Sequence, residues 1–184
     1  MEDEITEDLT AEEEGYANEA DEPEELQEEI PGEFYAGQNG KAQSFSTTNL
    51  RSSETIHFME NSGKVQILIF GGLGSCGYTN EMLGHFDELI SDIDLNALNI
   101  YAFDIKNNTE ETILSAVSGK SDAIQVGETN SSVSSIYQSC LRNAGISSFT
   151  MPFVVYLDTK GDIYSYSTGM TSINDICKRL TEGV

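Results

Sequence analysis

Two apolar runs of strand length, "VQILIF" (65–70) and "ALNIYAFD" (97–104), are each followed by a stretch whose apolar residues recur at helical spacing. A run that is apolar at every position, not every second one, belongs to a strand covered on both faces. Such strands need helices above and below them, which confines the chain to layered α/β architectures. After the first run, Met82, Leu83, Phe86, Leu89 and Ile90 predict an amphipathic helix from Cys76 to about Ser91. After the second, Thr109 is placed to cap a helix with Ile113, Leu114 and Val117 on one side. "DAIQVG" reads as a short strand. Ser131 or Ser132 opens a further helix presenting Val133, Ile136, Tyr137, Cys140, Leu141 and Ala144, and Gly145 stops it. "FVVYLDTKGDIYSYSTG" is a hairpin about the turn Asp158–Gly161, and the last helix faces Ile173, Ile176, Cys177 and Leu180 inward. Ahead of all these, "SFSTTNLRSSETIHF" (44–58) has the Thr-rich, partly alternating pattern of a β-hairpin. The expected fold is therefore a three-layer α/β/α sandwich with a mixed sheet and an N-terminal β-hairpin, not a doubly wound parallel sheet.

Charge divides the chain differently. Half of the 32 acidic residues fall between Glu2 and Glu33, and no Lys or Arg precedes Lys41. A segment so acidic and so poor in apolar groups cannot offset its ordering entropy. Residues 1–43 are expected to be a disordered acidic linker, with a specific interaction tail as the other reading, and 44–184 to be the folded domain. The net charge of −23 argues against nucleic acid and anionic membrane surfaces as partners. No apolar run approaches membrane-spanning length, and "MEDEITED" has neither the basic start nor the apolar core of a signal peptide. The chain is then either cytoplasmic or the part of a protein that follows a membrane anchor. An acidic spacer ahead of a compact domain favours the second, with display outside the cytoplasm of a bacterium.

The turn "FGGLGSCGYTNEM" (70–82) admits two chemistries. Gly72, Gly74 and Gly77 fit G-x-G-x-x-G after a strand, with Asp104 as the acid for a ribose hydroxyl. Asp104 comes somewhat late for that role, Glu81 would oppose an anion at the helix start, and a terminal hairpin replaces the second nucleotide-binding half. Dinucleotide binding is thus the weakest reading. The alternative centres on Cys76, a thiol at a helix N-terminus, where the thiolate is favoured. Cys76, Cys140 and Cys177 are an odd number without C-x-x-C or metal-ligand spacing, so no disulfide framework, metal or other cofactor is expected.

A second motif joins the thiol reading. Pro152 directly precedes the first strand of the terminal hairpin in "TMPFVVYLDTKGD", a place where a cis bond can sit. With "KVQILIFGGLGSCGYTNEM", the inserted strand and helix, and the final helix, this arrangement resembles the thioredoxin superfamily, in particular its TlpA/ResA and AhpC/TSA-like branch, over about Phe45 to Leu180. The resemblance implies that Cys76 is the nucleophile of the family's C-x-x-C, that Pro152 is the cis-proline facing it, and that Met151 pairs with a bound peptide or mixed disulfide. Thr79 stands for the resolving cysteine, Ser75 for a usual aromatic, and Phe70 for a buried acid of many members.

The resulting expectation is a monomeric thiol redox protein that uses one cysteine, by monothiol exchange or thiol oxidation, on protein or small-molecule thiols and disulfides. Cys76, Thr79 and Pro152 form the reacting centre, with Gly74, Ser75, Gly77, Tyr78 and Met151 around it. A mixed disulfide at Cys76 would have no internal thiol to release it. The rival expectation is a non-enzymatic thioredoxin-like binding or structural module of a bacterial surface protein. Cys140 and Cys177 are expected to be buried structural thiols, and His57 and Glu81 ordinary surface residues.

Overall fold

The computed structural model describes residues 32–59 and 62–183. The expected disorder of the acidic segment 1–31 lies outside the described residues. In chain order the elements are β1 (Glu33–Lys41), β2 (Phe45–Thr48), β3 (Thr55–Phe58), β4 (Val65–Gly71), α1 (Gly77–Ile90), β5 (Leu98–Asp104), α2 (Glu110–Val117), β6 (Ile124–Gly127), α3 (Ser131–Ala144), β7 (Phe153–Leu157), β8 (Asp162–Thr168) and α4 (Ile173–Glu182). The continuous apolar runs behave as their pattern requires. Every residue of β4 and β7 is buried, and β5 leaves only Asn99 half-exposed.

The main sheet has the order β1-β8-β7-β4-β5-β6. β4 runs parallel to β5 and β5 to β6, while β4–β7, β7–β8 and β8–β1 are antiparallel, so the sheet is mixed. Because side chains alternate across a strand, one strand feeds two cores. Ile67 and Ile69 of β4 join Met82, Leu83 and Phe86 of α1, Ile113 of α2 and Ile176 of α4 on one face. Leu68 and Phe70 join Val133, Ile136 and Cys140 of α3 and Phe45, Ile56 and Phe58 of the hairpin on the other. This is the expected three-layer sandwich. The hairpin β2–β3 is a separate two-stranded sheet, docked to the end of β6 by a bridge between Asn49 and Gly127 and by the Thr47 hydroxyl donating to the Glu128 carbonyl at 2.5 Å.

One boundary is corrected. Glu33–Lys41 fell within the expected linker, yet it forms edge strand β1 along β8, from Glu33 opposite Thr168 to Lys41 opposite Asp162, with an irregularity between Ala36 and Gly40. The reason is tertiary. Phe34 packs into the helix-α4 side of the core, where the Arg179 guanidinium stacks 4.4 Å over its ring. Such contacts contribute about 0.5–2 kcal/mol. The folded unit therefore starts about ten residues earlier than the composition indicates.

Candidate functional site

The strand register defines a rim. Glu33, Thr168, Phe153, Phe70 and Phe103 are successive partners across β1, β8, β7, β4 and β5, forming one row. Just beyond that row the chain leaves the sheet at Gly32, Gly169, Pro152, Gly71 and the Asp104 turn. Since Phe70 pairs with Phe153, Gly71 and Pro152 emerge side by side. Between Gly71 and α1 lies the loop Gly72–Cys76, so the two sequence motifs expected to share a site do meet at this rim.

Cys76 is the N-cap residue of α1, in extended conformation (φ −121°, ψ 117°), and its side chain makes no capping hydrogen bond. Its thiol is half-buried at the positive end of a 14-residue helix. The loop behind it is tightly closed, with the Ser75 and Cys76 N–H groups donating to the Gly72 carbonyl at 3.2 and 2.9 Å. Gly74 and Ser75 are exposed before the cysteine. Gly77 is exposed and Tyr78 half-buried after it.

Thr79 does not face solvent. It is fully buried, and its hydroxyl accepts the Gly72 N–H at 3.3 Å. It is packed so closely under the end of β4 that a Cβ added at Gly71 would lie 2.5 Å from Thr79 Oγ1. Thr79 thus braces the turn from below. The Met151–Pro152 bond is cis, Pro152 is buried and Met151 is half-buried. The Gly169 N–H donates to the carbonyls of Thr150 and Pro152 at 2.7 and 2.9 Å, which fixes this segment to the end of β8.

The residues that hold the loop in place are ones the sequence reading did not assign to it. Asp104 is 6% exposed. Its Oδ1 accepts the Leu73 N–H at 3.0 Å and Asn108 Nδ2 at 2.7 Å, and its Oδ2 accepts the N–H groups of Lys106 and Asn108 at 3.1 and 2.9 Å. The Asn108 amide also reaches the Leu73 carbonyl at 3.2 Å and Ser75 Oγ at 2.8 Å. On the other side, Asn80 Oδ1 accepts the Gly74 N–H at 2.9 Å. Lys106 flanks the loop, since a Cβ on Gly72 would stand 3.1 Å from Cys76 Cβ and 3.2 Å from Lys106 Cγ. The one signal in the sequence is "DIKNN" (104–108), a turn-forming run directly after a strand.

This geometry removes the dinucleotide reading. Both oxygens of Asp104, the expected ribose ligand, are engaged within the protein. The glycines also depart from the pyrophosphate-binding pattern. Gly74 has φ +86° and would place a Cβ 2.7 Å from the Thr112 carbonyl, whereas a Cβ on Gly77 would meet nothing within 4 Å. The third glycine of a nucleotide fingerprint is needed for close helix–strand packing.

The other cysteines diverge. Cys140 is buried as expected, and burial pushes its thiol up to about 12. Cys177 is exposed, contrary to expectation. Of the residues expected inward on α4 only Ile176 is fully buried, and Cys177, one position on, lies at the edge of a shallow apolar cleft of about 240 Å³ with Val65, Ile93, Leu98 and Leu180. His57 is exposed and bonded to Ser46 Oγ at 2.9 Å, and Glu81 is exposed. Among the described residues no group of three His, Cys, Asp or Glu is placed to hold a metal ion. A groove of about 560 Å³, lined by Lys41, Ser135, Cys140 and Arg142 among others, does not include the Cys76 loop.

No protein-family profile matches the sequence, and no curated protein does. Solved structures do match. A thiol:disulfide interchange protein of the thioredoxin family from Chlorobium tepidum TLS superposes with a TM-score of 0.68 at 12% identity, over 79% of this chain and 97% of that one. A secreted Mycobacterium tuberculosis disulfide oxidoreductase homologous to E. coli DsbE gives 0.58 at 15% identity, over 75% and 95%. A SCO1/SenC family lipoprotein from Bacillus anthracis str. Ames gives 0.58 at 12% identity, over 80% and 96%. Sheet order, layering and these superpositions lead to one conclusion about architecture: the chain has the thioredoxin-like fold.

Proposed function

We propose that this protein is a thiol redox protein that works through one cysteine, Cys76, on thiol or disulfide substrates. The observation that carries the reading is the pairing of a half-buried thiol at the start of α1 with a fully buried Thr79 three residues on. In the step proposed, the Cys76 thiolate attacks one sulfur of a disulfide. A new S–S bond forms to Cys76, the other half leaves as a thiolate, and the Cys76 proton goes to solvent. Thr79 cannot displace the bound half, so turnover ends with an external thiol. The Met151 N–H and C=O have no hydrogen bond among the described residues, which leaves them free to pair with an extended substrate beside Pro152. Gly74, Ser75, Gly77 and Tyr78 border the same opening.

The neighbours described as secreted and as a lipoprotein, together with the acidic segment ahead of the fold, support a place outside the cytoplasm of a bacterium, tethered or at the cell surface. Among the described residues no helix is long and apolar enough to cross a membrane.

The test is peptide mapping after incubation with a neutral disulfide such as 2-hydroxyethyl disulfide. The adduct is expected on Cys76, absent in Cys76→Ser, and stable until a small thiol is added. An adduct confined to Cys177, or none, would refute the redox reading and leave the fold as a binding module, for which the absent resolving thiol already argues.

A further inference from the structure

Resting on the proposed reactivity of Cys76, we infer that Lys106 is a specificity-determining residue of that site, favouring thiols and disulfides that carry an anionic group, such as a carboxylate, close to the sulfur. The inference comes from where the few cations stand. The chain holds nine Lys and Arg against 32 acids, and of the loops that meet at the rim, 72–76, 105–109, 146–152 and 169–172, only the second contains one, Lys106. The point beside Gly72 where a Cβ would stand lies 3.2 Å from Lys106 Cγ, 3.1 Å from Cys76 Cβ and 2.8 Å from Ser75 Oγ. Because residue 72 has no side chain to fill that space, the lysine stem lies beside the cysteine. Among the described residues no carboxylate pairs with the Lys106 ammonium, and it makes no hydrogen bond. Lys106 is exposed, so its stem rests on the loop while its charge stays in water, where an approaching anion meets it.

The base of the lysine is fixed to the same framework as the thiol. Its N–H donates to Asp104 Oδ2 at 3.1 Å, and the Ile105 N–H before it donates to the Gly71 carbonyl at 2.9 Å. After it, Asn108 Nδ2 donates to Ser75 Oγ at 2.8 Å, so the turn carrying Lys106 is tied to the Cys76 loop on both sides of the lysine. The neighbouring acids are engaged or border other openings. Asp104 is buried, with both oxygens accepting N–H groups. Glu110 borders a cleft with Asp104, Asn107 and Asn108, and Glu111 another with Gly74, Asn80 and Thr112, and neither includes Lys106 or Cys76. Glu81 is exposed on α1 and sets one negative charge against the lysine, so the preference is a difference between opposing charges. A charge at the border of a site acts mainly on the association rate and its salt dependence. At about 0.1 M salt the screening length is about 10 Å, which mutes the distant acids of the chain and spares a contact between substrate and Lys106.

The reaction is the exchange written above, and only the charge of the departing and retained halves varies. Full-length protein carrying Cys177→Ser would be treated at 0.1 M salt with 3,3′-dithiodipropionate or 2-hydroxyethyl disulfide, which are anionic and neutral, and the ratio of the two rates at Cys76 compared among variants. The ratio is expected to fall by about threefold in Lys106→Gln, the scale of one exposed ion pair, and further in Lys106→Glu. Lys106→Arg should keep it. Lys160→Gln, which removes the same charge from the turn between β7 and β8 at the opposite end of the sheet, should leave it unchanged. A ratio unmoved by Lys106→Gln and Lys106→Glu, while the neutral disulfide still modifies Cys76, would overturn the role of Lys106 and leave the redox reading intact. An equal fall in Lys160→Gln would overturn it too, by tracing the effect to net charge. Failure of the neutral disulfide to modify Cys76 in the chain that keeps Lys106 would overturn the redox reading, and this inference with it.

Discussion

Cys76 and Cys140 carry the same side chain into opposite surroundings. Cys76 stands half-buried at the start of α1, on a loop clamped by Asp104, Asn108 and Asn80. Cys140, on the inner face of α3, is 2% exposed and belongs to the core cluster that includes Phe70, Phe153 and Tyr166. One thiol is set half-buried at the start of a helix, the other where burial opposes its anion. On the proposed reading, the two thiols differ in reactivity because one stands at the sheet rim and the other in the core.

The largest effect concerns Cys140. Burial raises its thiol from 9.0 to about 12, which leaves about a thousandth of the thiolate an unburied group would show below pH 9. Labelling of Cys140 by iodoacetamide should be slower in the native protein by at least that factor than in urea. The same shift links to stability. Native Cys140 holds its proton while the unfolded thiol loses it, so the stability it contributes is whole below about pH 9 and is lost as pH rises from 9 towards 12. The slope is about 1.4 kcal/mol per pH unit within that window. Tyr156 and Tyr166, both raised by burial to about 12, act in the same direction from about pH 10 upward. Urea midpoints measured from pH 8 to 10.5 should fall more steeply for the native sequence than for Cys140→Ala.

Next in size, Thr79→Cys should convert the trapped mixed disulfide into an intramolecular exchange. Residues 76 and 79 are neighbours on a helix. The lifetime of the Cys76 adduct without added thiol should drop by more than about 100-fold, given the effective concentrations reached by oriented groups. An unchanged lifetime would mean the buried position 79 cannot reach the sulfur. Below that, Asn108→Ala removes the amide that ties Leu73, Ser75 and Asp104 together. A hydrogen bond to a charged group contributes about 1.5–3 kcal/mol, so thermal unfolding should register a loss of that order, with slower exchange at Cys76. Smallest is a pair of glycines. Gly74→Ala should cost about 1–3 kcal/mol, because its φ is +86° and its Cβ would press on the Thr112 carbonyl. Gly77→Ala, with open space around it, should be neutral or stabilising by up to about 1 kcal/mol.

What the sequence revealed and what it concealed follow from the range of the interactions. Local signals read correctly. Thr109 caps α2 through the Thr112 N–H at 3.3 Å, Gly145 ends α3 at φ +69°, and Asp158–Gly161 closes the terminal hairpin. Periodicity placed the two cores because β4 and α1 bury the residues their spacing selects. Strand β1 was hidden because "EFYAGQNGK" holds two glycines beside an acidic run, and its partner β8 lies about 130 residues away. The role of Asp104 was hidden likewise, since its bond to Leu73 spans 31 residues. A helical wheel placed Cys177 inward, but the neighbouring position, Ile176, takes the core contact and leaves the thiol outside.

The most direct measurement sets Cys76 against Cys177 in the same molecule, by competitive labelling with a limiting amount of a neutral disulfide at pH 7 and counting adducts at each. Cys177 is the more exposed of the two, so exposure alone favours it. If the loop and helix end make Cys76 a working thiol, it should react at least tenfold faster despite its partial burial. Equal rates, or faster labelling of Cys177, would contradict the claim that this site is built for sulfur chemistry.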